Sequence, residues 1–339
     1  MSNEFPKILT NYLTVYLPTQ CNYSKNTIAS YCDTFRIILR YVKTEKGIAA
    51  DKLSLKDFNY EWVISFLDWL SNSQGNSVST LNQRLACIHS FFRYIQADYP
   101  QYLLEYQKIL RIPFKKNPPP NVNYLCSEDV KFLLQQPDSK SKSGRRDVTM
   151  LSLLYDTGAR VQELVDLRVD SLRLEAPSYV TLTGKGNKTR HVPLMDNTVK
   201  LLKTYLEENH LLESYAAQHP LFVNHSKQKF TRAGVTYILK KYATQARTVN
   251  PKFPDKISPH VLRHSKAMHL LEAGVNVIYI RDILGHADVS TTGVYARANL
   301  EMKRKALEKS ENISETVIPS WTQNRDLLEW LNAFGQTLK

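Results

Sequence analysis

The sequence predicts a mostly α fold with a small β-hairpin or sheet (α+β) in the second of two domains. Three observations carry this. Apolar residues recur at three-and-four spacing through the first 110 residues, as in amphipathic helices packed on a shared core. A proline-rich break follows at 111–123. Beyond it the helical spacing is interrupted once, by two five-residue segments around a glycine-bearing turn. A chain of 339 residues is long enough for two ordinary domains and a sizeable core.

Taken in order, Ile28, Tyr31, Phe35, Ile38, Leu39 and Val42 form the first clear stripe. Val63, Phe66, Leu67 and Leu70 form the next, and Leu81, Leu85, Ile88, Phe92 and Ile95 the third. Lys25, Arg36, Arg40, Lys43, Arg84 and Arg93 fall mostly off these stripes, on faces that suit solvent or phosphates equally well. Three consecutive prolines, Pro118 to Pro120, cannot continue a helix and favour an extended chain, so 111–123 reads as a linker. Helices resume near Ser127, placed to cap, and again over about 147–156. Tyr179-Val-Thr-Leu-Thr and Thr189-Arg-His-Val-Pro read as strands joined by Gly184-Lys-Gly-Asn-Lys. Further helices are expected at about 196–208, 232–247, 259–273 and 276–284, the last with Val275, Ile278, Tyr279 and Ile283 on its apolar face. Leu327, Leu328, Trp330, Leu331 and Phe334 mark a short apolar helix in the tail, a stripe that needs covering by its own domain or a neighbouring subunit.

Lys and Arg outnumber Asp and Glu by 45 to 32, a net charge of +13. Residues 1–120 hold 14 basic and 9 acidic side chains, so the excess is spread over both parts, as suits a protein that grips a polyanion from two sides. Charge alone also fits a basic protein with no nucleic-acid role. Cys21, Cys32, Cys87 and Cys126 are scattered, with no CxxC pair and no His at metal-ligand spacing. Three of them fall in apolar helical patterns that suit buried thiols, and a reducing cytoplasm fits best. No apolar stretch is long enough to span a bilayer, and no signal-peptide pattern opens the chain.

Four local patterns occur in order after the linker. In Tyr155-Asp-Thr-Gly-Ala-Arg160-Val-Gln-Glu163, Gly158 suits the end of one helix and Arg160 the start of the next, with Glu163 one turn on to orient the guanidinium fork. Alone, this reads as an ordinary surface ion pair. In Thr183-Gly-Lys185-Gly-Asn-Lys188, Lys185 stands on a hairpin tip from which an amine can reach a phosphate or a leaving oxygen, though a solvated loop would look the same. There is no GxxxxGK[ST] pattern, so a nucleotide-binding P-loop is not supported. In Ser258-Pro-His260-Val-Leu-Arg263, a capping Ser and a first-turn Pro open a helix that projects His260 and Arg263 from one face. In Leu284-Gly285-His286-Ala-Asp-Val-Ser-Thr-Thr-Gly-Val-Tyr295, Gly285 ends a helix and Ser290 can cap another that carries Tyr295. Of the 19 tyrosines, Tyr279 reads as core, and Tyr295 stands apart because it closes this run. Together the patterns supply guanidiniums, an amine, imidazoles and a phenol, with no carboxylate cluster for a magnesium ion. That set suits phosphodiester transesterification, in which charge on the non-bridging oxygens needs neutralising and a phenol of pKa about 10 needs help to lose its proton.

The ordered set Arg160, Lys185, His260-x-x-Arg263, Leu-Gly-His286 and Tyr295 resembles the catalytic signature of the tyrosine recombinase (phage integrase) family, closely over about 150–310. The resemblance implies a two-domain DNA clamp: a helical core-binding domain over 1–110, a linker over 111–123, a catalytic domain over 124–310 and a tail helix within 311–339 that packs on a neighbouring protomer. It implies that Tyr295 is the nucleophile and forms a 3′-phosphotyrosyl link. Arg160 and Arg263 would clamp the scissile phosphate, His286 would add a hydrogen bond, Lys185 would protonate the departing 5′ oxygen, and His260 would assist proton transfer at the tyrosine. It implies no metal and no ATP. The partners would be double-stranded DNA recombination sites and further copies of the chain, in a tetramer on two sites, with accessory proteins as a further possibility. The segment from Val294 to Glu308 looks more like integrases of bacterial mobile elements than like chromosomal Xer recombinases, whose role in dimer resolution is the alternative. A type IB-like topoisomerase and a non-catalytic DNA-binding regulator are the other readings.

Overall fold

The computed structural model describes residues 4–49, 52–117, 123–285 and 327–337. The chain divides into two compact units, Met1–Pro120 and Asn121–Lys339. Among the described residues the fold is mostly helical, with one small antiparallel sheet in the second unit.

The first unit contains α1 (Glu4–Asn11), which runs on into a π-helical segment, Tyr12–Gln20. That segment carries Pro18, which has no N–H to give to a carbonyl four residues back. Then come α2 (Lys25–Lys46), α3 (Tyr60–Asn72), α4 (Val78–Ile95) and α5 (Leu103–Leu110). Ser24, Asn59 and Ser77 cap α2, α3 and α4 by accepting the backbone N–H of Thr27, Trp62 and Thr80. The predicted stripes face inward: Phe35, Ile38 and Val42, then Val63, Phe66, Leu67 and Leu70, then Leu81, Leu85, Ile88, Phe92 and Ile95 are all buried, while Ile28, Tyr31 and Leu39 pack at the edge. The core is dense in aromatic rings, with Phe91 edge-on to Tyr12 at 5.2 Å and to Phe35 at 5.1 Å. Of the basic residues noted above, Arg84 is spent on structure, donating to Thr34 Oγ1 and Ser30 O and so tying α4 to α2. Lys25, Arg36, Arg40, Lys43 and Arg93 are exposed.

The second unit begins with α6 (Ser127–Leu134), α7 (Lys142–Thr157) and α8 (Val161–Asp166). Next come β1 (Leu172–Arg173), β2 (Tyr179–Thr183) and β3 (Thr189–Pro193), then α9 (Asp196–Glu208), α10 (Arg232–Val249), α11 (Pro259–Glu272) and α12 (Val277–Leu284), with α13 (Leu327–Thr337) last. The sheet order is β1-β2-β3, with Val180 opposite Val192 and Leu182 opposite Arg190. Two residues of β1 are too few to show an alternation, which is why a hairpin and not a three-stranded sheet was legible. Val180, Leu182 and Val192 sink into a core with Leu151, Leu154, Leu202, Leu239 and Leu262.

Several expectations need correcting. Cys126, not Ser127, is the residue before α6 whose side chain accepts a backbone N–H, that of Asp129. Only Cys87 is buried; Cys21 and Cys32 are half-buried and Cys126 is exposed. On α12 the apolar face is displaced by one residue: Ile280 and Leu284 are buried, with Val277 and Ile283 partly so. Tyr279 is 66% and Ile278 51% exposed, because at about 100° per residue they sit away from the Ile280–Leu284 line. Among the described residues, no helix is long and apolar enough to cross a membrane.

Candidate active site

The site is built where α7, α8, β3, α11 and α12 end or begin. Helix α7 stops at Gly158, held at φ +57 in the left-handed region, and two residues later Arg160 stands at the N-terminus of α8. Glu163, one turn in, reaches back. Its Oε2 accepts the Arg160 backbone N–H at 2.8 Å and its Oε1 accepts Arg160 Nη1 at 2.8 Å. The same carboxylate receives a second guanidinium: Arg190 on β3 donates Nη2 to Oε2 at 2.7 Å and Nη1 to Oε1 at 3.1 Å. The Glu163 side chain is 3% exposed. Burial pushes its carboxyl up, but the hydrogen bonds from Arg190 and from the Arg160 backbone, the Arg190 charge and the Arg160 side-chain hydrogen bond outweigh that and hold it below the usual carboxylate range.

Helix α11 supplies a third arginine. Ser258 accepts the N–H of Val261 and Pro259 takes the first helical position, so the first turn is fixed. Arg263, 4% exposed, donates Nη1 to Gly158 O and Nη2 to Leu284 O, both at 2.6 Å. The remaining contacts fall on the C-terminus of α12, which closes on Gly285 at φ +65. Arg160 Nη2 donates to Gly285 O at 3.1 Å, and Arg190 Nε donates to Ile283 O at 2.8 Å. Three arginines, from three separate segments, therefore meet the last carbonyls of one short helix.

Arg160 and Arg263 are thus brought together on adjacent carbonyls. The Arg160 side chain is 37% exposed and uses two of its five N–H donors on Glu163 and Gly285, so its outer edge can bind anionic oxygens. Three guanidiniums against one carboxylate leave surplus positive charge, which favours an anion. Lys185 opens the short 3-10 turn Lys185–Asn187 between β2 and β3. Its neighbour Gly184 lies beside Glu163: a Cβ there would stand 3.1 Å from Oε1. His260 is exposed in the first turn of α11, with its ring 6.4 Å from that of His264. His264 is pushed below the ordinary imidazole value by burial, then by His260 and Arg263. His286 and Tyr295 lie outside the described residues; His286 directly follows Gly285 in the chain.

Arg190 was missed from sequence, although a signal existed. It shares a face of β3 with buried Val192, so strand alternation points it inward, and an inward guanidinium requires a carboxylate. Among the described residues no group of three or more His, Cys, Asp or Glu side chains is arranged to hold a metal ion.

Comparison with known proteins places this geometry in context. Residues 123–302 match the Phage integrase family, and residues 10–98 match the Phage integrase, N-terminal SAM-like domain. A putative integrase/recombinase of Sinorhizobium fredii, y4rC, is 35% identical over 308 residues, covering 91% of this chain and 92% of the relative. Tyrosine recombinase XerD of Listeria monocytogenes is 33% identical over 282 residues, covering 83% of this chain and 90% of the relative. Among solved structures, the Tn1549 transposon integrase in complex with a circular intermediate DNA shares the fold at a TM-score of 0.68 and 14% identity, over 91% of this chain and 99% of that one.

Proposed function

The chain belongs to the phage integrase family and is a tyrosine recombinase, a DNA strand-exchange enzyme; from that premise we propose that it works by the following division of labour. The Tyr295 phenolic oxygen attacks the phosphorus of one phosphodiester in a double-stranded recombination site. The bond to the 5′ oxygen breaks, the DNA 3′ end remains linked to Tyr295, and a 5′ hydroxyl departs. Arg160 and Arg263 hold the non-bridging oxygens, and His286 adds a third donor. Lys185 gives its proton to the departing 5′ oxygen, and His260 assists removal of the phenolic proton. One phosphodiester is exchanged for another, so attack by a partner strand's 5′ hydroxyl reseals the DNA without a metal or ATP.

The observation that carries this reading is the convergence of Arg160 and Arg263 on Gly285 O and Leu284 O, next in the chain to His286. The two clamping guanidiniums thereby share one locus.

The wider reading is a homotetramer on two DNA sites, coupled through α13, for integration or excision of a mobile element. The mobile-element preference rests on the segment from Val294 to Glu308. Chromosome dimer resolution is the alternative role.

The test uses nicked duplexes carrying sequences selected by binding from a random pool. The full chain should become covalently attached to such DNA, and Tyr295→Phe should bind it equally but form no adduct. If Tyr279→Phe removes the adduct instead, the nucleophile is wrongly assigned; if no variant alters binding or function, a non-catalytic regulator is the better reading.

A further inference from the structure

Helix α12 is only eight residues long, and its C-terminal end is accounted for carbonyl by carbonyl. The last carbonyls of a helix have no partner within it, and the aligned peptide dipoles leave that end partly negative. Here the Gly285 N–H caps Arg281 O and Asp282 O. Arg190 takes Ile283 O, Arg263 takes Leu284 O and Arg160 takes Gly285 O. Two of these three arginines belong to the proposed phosphate clamp; Arg190 does not. It spends Nε on Ile283 O and both Nη1 and Nη2 on Glu163.

A second, independent observation ties Arg190 to the same end. A Cβ on Gly285 would stand 2.7 Å from Arg190 Nη1, 2.9 Å from Cζ and 3.1 Å from Cδ. The backbone at Gly285 is therefore laid against the guanidinium that hydrogen-bonds Ile283 O two residues earlier. One edge of that guanidinium is locked by its two-pronged pairing with Glu163, the carboxylate that also orients Arg160.

We infer that Arg190 is a positioning residue of the strand-exchange reaction: braced by Glu163, it sets the depth at which α12 ends and so the position of the Leu284 and Gly285 carbonyls that hold Arg263 and Arg160. The inference rests on the transesterification reading above, but the anchoring itself is independent of it. A guanidinium is needed because one planar group must serve a carboxylate on one edge and a carbonyl on another. A lysine ammonium keeps the charge and can satisfy Glu163, yet it cannot span both partners in that geometry.

The experiment compares full-length wild type with Arg190→Lys in two measurements. In amide hydrogen exchange, residues 281–285 of the variant should exchange roughly ten times faster while α7 and α9 keep their protection. With a nicked duplex selected by binding, the variant should keep its Kd within about threefold, while single-turnover covalent attachment slows by roughly 10- to 100-fold, the scale expected of a misplacement near 1 Å. Added guanidinium at low millimolar concentration should recover part of the rate in Arg190→Ala. Unchanged exchange at 281–285 would overturn the anchoring, and so would protection lost equally across α7 and α9, which would make Arg190 a general brace. Faster exchange with a wild-type attachment rate would overturn the link to the reaction. Should wild type itself form no adduct, the transesterification reading fails, and the exchange pattern still decides whether Arg190 anchors α12.

Discussion

Replacing Glu163 by Gln tests the electrostatic centre of the second unit. The wild-type carboxylate, 3% exposed, accepts four N–H bonds: the Arg160 backbone and Nη1, and Arg190 Nη1 and Nη2, at 2.7 to 3.1 Å. Gln keeps one accepting oxygen, but its amide N–H groups must face N–H donors, and two guanidiniums are left without their counter-charge. Removing one partner of a buried, hydrogen-bonded ion pair costs about 3–5 kcal/mol. For a unit of this size each kcal/mol lowers Tm by about 2–4 °C, so a fall of roughly 10 °C is expected in a thermal melt. The effect also has a defined pH dependence. Because the folded carboxyl lies below its ordinary value, its stabilisation is fully present above the unfolded value, about pH 4.3, and is lost as pH falls through the lower folded one. The gap between wild type and Glu163→Gln should therefore stay constant from pH 8 to pH 5 and close only in stronger acid. A gap under about 1 kcal/mol, within the range of an exposed surface pair, would refute the buried-hub argument. So would a gap that is already shrinking between pH 7 and pH 5.

Two further substitutions probe single contacts. Gly285→Ala combines left-handed backbone strain with a collision on Arg190, whereas Gly274→Ala, at φ +83 with nothing within 4 Å of its Cβ, carries the strain alone. Urea melts should show about 1–2 kcal/mol lost for Gly274→Ala and clearly more for Gly285→Ala; equal losses would mean that Arg190 yields without cost. In the first unit Phe92, 2% exposed, meets the rings of Phe58, Phe91 and Tyr106. Phe92→Ala should cost about 3–5 kcal/mol, read by the fluorescence of Trp62 and Trp69 during denaturation.

What the sequence determined by itself was local. Three-and-four spacing marked the buried faces of α2, α3 and α4, and period-two alternation found β2 and β3 at their observed bounds. Gly158, Ser258 and Gly285 announced helix ends because a left-handed residue and a capping hydroxyl are each required by one backbone geometry. Such features depend on neighbours within about four positions, which a linear pattern records. The apolar face of α12 was misplaced because two turns of helix give too few residues to fix a phase, so Tyr279 was read as core. What only the tertiary structure decided was which distant groups share a partner. That Glu163 serves Arg190 as well as Arg160, and that the arginines at 160, 190 and 263 divide the carbonyls of 283 to 285 among them, depends on how β3, α8, α11 and α12 are brought end to end. A buried guanidinium must find acceptors wherever packing places them, and nothing in the order of residues along the chain records which carbonyls those will be.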